Sequence, residues 1–150
     1  MYTCGKGIRC PKNPPWVWSS WSRTALLFEA LEQVNWAGFY LLDNGSLLLG
    51  PFQGKPACIR IEIGKGVCGT AAREDRTLRV ADVHAFPGHI ACDAASASEI
   101  VVPMHSGGRV VGVLDIDSTE KGRFHAADEM GLQLLVEEIE QSADFSRLRW

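Results

Sequence analysis

The stretch Trp36-Ala-Gly-Phe-Tyr-Leu-Leu-Asp43-Asn44-Gly45-Ser46-Leu-Leu-Leu-Gly-Pro-Phe52 decides the fold. Two apolar runs flank Asp43-Asn44-Gly45-Ser46, and Asn-Gly supplies the positive φ angles that a tight turn between antiparallel strands demands. The reading is a hairpin, with Trp36 to Leu42 and Leu47 to Phe52 as its arms.

Downstream, Ile59, Ile61 and Ile63 alternate with Cys58, Arg60 and Glu62. That is the period of a half-buried strand, and it puts Cys58 on the non-core face. Gly64-Lys-Gly66 breaks the run, and Val67 to Arg73 reads as a short helix whose start lies close to Cys68, where positive potential favours a thiolate. Leu78 to Val83 is a further strand. His84 to Ser98 has no steady period, so it is expected to be a long loop with one helical turn, the kind of segment that carries function. Glu99 to His105 and Arg109 to Ser118 form a second hairpin across Ser106-Gly107-Gly108. Leu132, Leu135, Val136 and Ile139 mark a final helix at i, i+3, i+4, i+7. Upstream, Leu27, Leu31 and Val34 predict a short helix from Ala25 to Val34. Residues 1 to 24, with Pro11, Pro14, Pro15 and alternating Trp16, Trp18 and Trp21, read as an irregular arm ahead of one domain over residues 25 to 150, with a tail from about residue 142. Segregated hairpins with few crossovers point to an α+β domain, a largely antiparallel β-sheet flanked by helices.

A chain of 150 residues with 46% hydrophobic content is long enough for one core that needs no metal or disulfide staple. The 15 Lys+Arg against 18 Asp+Glu leave no basic field for nucleic acid or anionic lipid. Apolar runs are broken by Gly38, Pro103 or Gly112, so no membrane span is expected. The N-terminus lacks an apolar segment before Pro11, which favours a cytoplasmic location. In a reducing compartment the five cysteines are free, redox-active or metal-binding thiols rather than a disulfide framework.

Cys58, Cys68 and Cys92 cluster in sequence, although any one of them alone reads most simply as a small buried hydrophobe. Zinc prefers closer pairs than the nine residues between Cys58 and Cys68 or the 23 between Cys68 and Cys92, and His89 brings no obvious fourth ligand. Redox chemistry needs only a nucleophilic thiolate and a second thiol in reach, and a loop cysteine such as Cys92 has that mobility. Asp115 and Asp117 share a strand face with Val111 and Val113, and Glu99 can bring a third carboxylate to the same end. Such a group can bind an ammonium or hold a proton, or the face can simply be wet; spacing alone does not choose. Trp36, Gly38 and Tyr40 share a face, with Gly38 leaving a gap that can admit a ligand's methyl group or close as ordinary core. His84, His105 and His125 show no partner pattern and read as surface or capping residues. Cys4 and Cys10 form no second pair.

The segments Asn35-Trp-Ala-Gly-Phe-Tyr-Leu-Leu42, Gly50-Pro-Phe-Gln-Gly-Lys55, Ala57-Cys-Ile-Arg-Ile61, Gly66-Val-Cys-Gly-Thr70, Gly88-His-Ile-Ala-Cys-Asp93, Ser98-Glu-Ile-Val101 and Gly112-Val-Leu-Asp-Ile-Asp-Ser118 together resemble the free methionine-(R)-sulfoxide reductases, stand-alone GAF-domain enzymes. The match runs from about Ala25 to about Gln141. The first residues do not align with the longer helical N-terminal segment usual in that family, and His125 stands where it more often has Ser or Thr.

The resemblance implies a GAF fold with a closed pocket for one free amino acid. Carried onto this chain, Cys92 is the nucleophile that attacks the sulfoxide sulfur, Cys58 the main resolving thiol and Cys68 an alternative one. Glu99, Asp115 and Asp117 hold the substrate ammonium and protonate or hydrogen-bond the sulfoxide oxygen, and Trp36 and Tyr40 enclose the methyl group. The electrons arrive as thiols, so no cofactor is implied. The partners implied are free methionine sulfoxide, an external dithiol reductant such as thioredoxin, and a second copy in a homodimer. The competing reading is a non-catalytic GAF sensor for a small ligand, and a zinc-binding structural protein is the third.

Overall fold

The turn at Asn44-Gly45 forms as its chemistry requires. Both residues adopt positive φ, 49° and 79°, and Asp43 pairs with Ser46 across it. Around this hairpin the computed structural model describes residues 15–90, 92–143 and 145. In chain order they form α1 (Pro15–Ala30), β1 (Val34–Asp43), β2 (Ser46–Gly54), β3 (Arg60–Glu62), α2 (Gly66–Glu74), β4 (Leu78–Val80), a 3-10 turn (Val83–Ala85), β5 (Ser98–Ser106), β6 (Arg109–Ser118) and α3 (Ala126–Ser142). The strands make one antiparallel sheet in the order β3-β2-β1-β6-β5-β4. The second hairpin closes on Gly107 and Gly108 at φ 59° and 74°, with Ser106 opposite Arg109. This is the expected α+β architecture. No helix among the described residues is long and apolar enough to cross a membrane.

Strand alternation divides the core in two. Ala37, Phe39, Ile100, Val102, Leu114 and Ile116 point to one face, where Leu132, Val136 and Ile139 of α3, Leu27 of α1 and Leu31 just after it cover them. Trp36, Tyr40, Val101 and Val113 point to the other face, beneath Val67, Cys68, Ala71 and Ala72 of α2. Each large side chain buried in this way contributes about 1.5–3 kcal/mol. The first face holds the fold together, and the second carries polar groups within its apolar frame.

Several local expectations change. Helix α1 starts at Pro15, inside the stretch read as an irregular arm, and ends at Ala30, while Val34 opens β1. Proline is well tolerated in a first helical turn because its missing N–H has no partner there to lose. The left-handed Gln33, φ 60°, separates helix from strand. Cys4 and Cys10 lie outside the described residues.

The run from Cys58 to Ile63 is a strand only over Arg60–Glu62. It is a sheet edge paired with β2 alone, so Ile61 reaches the core while Ile59 is 72% exposed. Cys58 precedes the paired segment, escapes its alternation, and packs half-buried against the α2-side cluster. Val111 does not share the face of Asp115. Met104 pairs with Gly112 and His105 with Val110, so Val111 is the extra residue of a bulge and turns into the α3-side core.

Candidate active site

On the α2 side, Glu99 sits opposite Asp117, and Val101 opposite Asp115, in the β5–β6 register. The face is not wet, since Glu99 and Asp115 are each 6% exposed. Helix α2 closes over them because Gly69 lies against the Glu62 carbonyl, where a Cβ would collide. That close approach brings Cys68, in the first turn, to within 3.7 Å of Glu99 Oε1.

Three carboxyls buried together cannot all ionise. Burial, then the charges of Asp115 and Asp117, push Glu99 well above the usual carboxylate range, and it hydrogen-bonds to Asp115. Asp115 is raised to about 6 by burial, against the opposing pull of hydrogen bonds with Cys68 and Glu99. Asp117 is raised by burial and by Asp115, while a hydrogen bond from Ser96 opposes the rise. Glu99 is thus the member of the cluster pushed towards its protonated form, with its hydrogen bond directed to Asp115. Asp115 Oδ1 is buried without a partner among the described residues.

The thiolate expected at the start of α2 is overturned by the same surroundings. Burial, then the charge of Asp115, raise the Cys68 thiol well above its ordinary range. The field of a short helix end is outweighed by desolvation and a nearby negative charge. Cys68 Sγ and one oxygen each of Glu99 and Asp115 lie within 4.8 Å of one another, a spacing that suits three ligands of a cation, although protons already join these atoms.

Trp36 stacks on Phe52 at 5.6 Å and on Tyr40 at 5.8 Å between ring centroids, and its indole N–H donates to the Lys55 carbonyl at 3.1 Å. The gap foreseen over Gly38 is filled by the Trp36 ring itself, because a Cβ on Gly38 would run into that ring and into Phe52. The tryptophan folds back along its own strand and walls the space above the carboxylates. Tyr40 donates its hydroxyl to the Cys58 carbonyl at 2.9 Å. Burial and the charge of Asp115 keep this phenol protonated.

Cys58 and Cys92 form a disulfide, with their Cα atoms 5.4 Å apart. It joins the segment before β3 to the long loop before β5. Of the eight residues singled out from the sequence, Trp36, Tyr40, Cys68, Cys92, Glu99, Asp115 and Asp117 line one pocket, and Cys58 reaches it through its bond to Cys92.

Other wall residues had no assigned role. His89 lines the same pocket, and both its ring nitrogens are buried without partners among the described residues. Burial and the nearby His84 hold its pKa low. Asp93 caps its own turn by accepting from Ala95 N at 3.0 Å, and Ser96 is 4% exposed. The signal for Asp93 and Ser96 was present in the turn-forming composition of the loop, but their partner Asn35 comes from β1 and is distant in sequence.

The chain matches the model of the GAF domain over residues 24–142. It is 58% identical over 118 residues to the free methionine-R-sulfoxide reductase of Escherichia coli, covering 79% of this chain and 72% of that one. It superposes on the structure of fRMsr of Staphylococcus aureus in complex with substrate with a TM-score of 0.81 and 51% identity, covering 87% and 86% of the two chains. The free methionine-R-sulfoxide reductase of Neisseria meningitidis in complex with its substrate gives 0.83 and 45%, covering 87% and 78%.

Proposed function

Since the chain belongs to the free methionine-R-sulfoxide reductase family of GAF domains, we propose that it reduces free L-methionine-(R)-sulfoxide to L-methionine by thiol chemistry. The observation that carries this reading is the Cys58–Cys92 disulfide in the wall of a pocket floored by three crowded carboxyls whose ionisation burial opposes. A sensor that only binds would leave that pair without a task.

In the reduced protein the Cys92 sulfur attacks the sulfoxide sulfur. The oxygen is a poor leaving group until it is protonated, and Glu99 carries a proton to give. The protonated oxygen then passes from the substrate sulfur to Cys92 Sγ: the substrate S–O bond and the transient S–S bond break, a Cys92 S–O bond forms, the Cys92 thiol proton replaces the one Glu99 gave, and methionine leaves; sulfur in the substrate is reduced by two electrons and sulfur in Cys92, now a sulfenic acid, is oxidised by two. The Cys58 thiol then displaces that oxygen as water, forming the disulfide. An external dithiol, with thioredoxin as the natural candidate, reduces it and returns the enzyme. Asp115 and Asp117 suit the substrate ammonium, and Trp36 and Tyr40 suit its methylthio end. Cys68, held as a thiol by burial and by its carboxylate neighbours, stands as the alternative resolving group. No further cofactor enters the scheme.

The test is to supply the reduced protein with free L-methionine-(R)-sulfoxide and, separately, the (S) diastereomer, with a dithiol, and to measure methionine. Methionine from the (R) form alone supports the proposal, and none from either form overturns it.

A further inference from the structure

Asn35 stands at an irregularity of the β1–β6 ladder. Val34 pairs with Ser118 and Trp36 with Asp117, so two consecutive residues of β6 span three of β1, and Asn35 is the extra one. A bulge re-aims the side chain it inserts. Here the Asn35 amide leaves the ladder and meets the loop that carries Cys92. Its Nδ2 donates to Asp93 Oδ2 at 3.3 Å and to Ser96 Oγ at 3.1 Å. An ionised carboxylate only accepts, so the amide has one orientation that suits both partners.

The contacts form a continuous strut. Asp93 follows Cys92 directly; its Oδ1 accepts from Ala95 N at 3.0 Å, and Ser96 N donates back to the Asp93 carbonyl at 3.2 Å. The Ser96 hydroxyl accepts from Asn35 and lines the pocket beside Asp117, which pairs with Trp36 next to Asn35 in the ladder. A tight turn beside Cys92 is thereby tied to a carboxylate of the pocket through one bulge residue. The ion pair from Lys55 to Asp93, 3.6 Å long with Lys55 72% exposed, adds little restraint.

We propose that Asn35 and Ser96 are positioning residues for Cys92, holding the Asp93–Ser96 turn against Asp117 so that the thiol moves between substrate and Cys58 about a fixed point. The inference rests on the reading that Cys92 attacks the sulfoxide. It differs from that reading in naming groups that touch neither reacting sulfur. Attack needs the two sulfurs close and aligned, and misplacement by about 1 Å costs on the order of a hundredfold in rate.

The experiment follows methionine release in a single turnover of reduced protein, without added reductant, over a range of substrate concentrations. Asn35→Ala and Ser96→Ala are expected to slow release at saturating substrate by about ten- to a hundredfold, with a much smaller change in the half-saturating concentration. The double variant is expected to fall no further than the worse single one, because both cut the same strut. Should Asn35→Ala fail to fold, Ser96→Ala, which removes one hydroxyl, carries the test. Rates equal to wild type, losses confined to the half-saturating concentration, or multiplicative losses in the double variant overturn the proposal while the functional reading stands. A wild-type protein that releases no methionine overturns both.

Discussion

The Cys68 thiol lies 3.7 Å from Glu99 Oε1 and stays free, while Cys58 and Cys92 are bonded to each other. Cys68 thus belongs electrostatically to the carboxyls. It shares their protons and is raised by burial and by Asp115, whereas a thiol that resolves a sulfenic acid works best partly ionised near ambient pH. Replacing Cys68 by Ser leaves a hydrogen-bond donor in place and removes no sulfur on which the main cycle depends.

Glu99→Gln keeps the shape of the side chain and removes its transferable proton. Methionine release at saturating substrate is expected to fall by about a hundredfold or more, the usual contribution of a general acid. Thermal stability is expected to hold or rise, since one member of a crowded buried acidic group is gone. Steady-state turnover with a dithiol, beside a melting curve, reads both. Undiminished turnover removes Glu99 as the acid.

The Asp115 cluster has a signed effect on stability. Its carboxyl rises from about 3.9 unfolded to about 6 folded. The folded state therefore binds more protons between those values, and this group's stabilisation, complete below the lower one, is lost as pH rises through the upper. Asp115→Asn abolishes the ionisation. Relative to wild type, the variant is expected to gain stability as pH rises from 4 to about 6, as read from denaturant midpoints at each pH. A difference that is constant with pH rejects the assignment.

His105 supplies a second such test on the α3 side. Its ring lies 2.6 Å from Asp75 Oδ1 and 3.0 Å from Glu140 Oε1. Partial burial lowers its pKa, and these carboxylates more than reverse the effect, leaving it raised. The stabilisation is present below about 6.5, the unfolded value, and fades as pH rises through the folded one. His105→Gln is expected to lower the melting temperature most at pH 6 and least at pH 9. A deficit that grows with pH contradicts the bridge.

What was legible in the sequence was what neighbouring residues decide. Asn44-Gly45 and Gly107-Gly108 form tight turns because local φ preferences suffice, and Leu132, Val136 and Ile139 mark α3 because period 3.6 shows on one helix. The resemblance added the set of pocket residues, seven of which share one cavity. What was not legible depends on pairing between distant strands. Val111 changes face through a bulge in β6, Asn35 is aimed by a bulge in β1, and the state of Cys68 is set by burial and by Asp115 and Glu99, which only folding brings about.

The cysteine series separates the steps of the cycle, because a nucleophile and a resolving thiol fail differently. With Cys92→Ser there is no attacking sulfur, so one equivalent of substrate is expected to yield no methionine. With Cys58→Ser the attack survives, Cys92 becomes a sulfenic acid, and methionine appears as a single burst of about one equivalent before turnover falters, because the disulfide that thioredoxin reduces cannot form with Cys58. With Cys68→Ser the burst and the turnover are both expected to persist, as the mildest of the three. Rapid quench, with trapping of the sulfenic acid and mass spectrometry, locates the oxidised sulfur directly. A stoichiometric burst from Cys92→Ser, with the trapped oxygen on Cys68, would move the nucleophile to α2 and turn the carboxyl cluster from proton donor to the substrate into the base that activates the thiol.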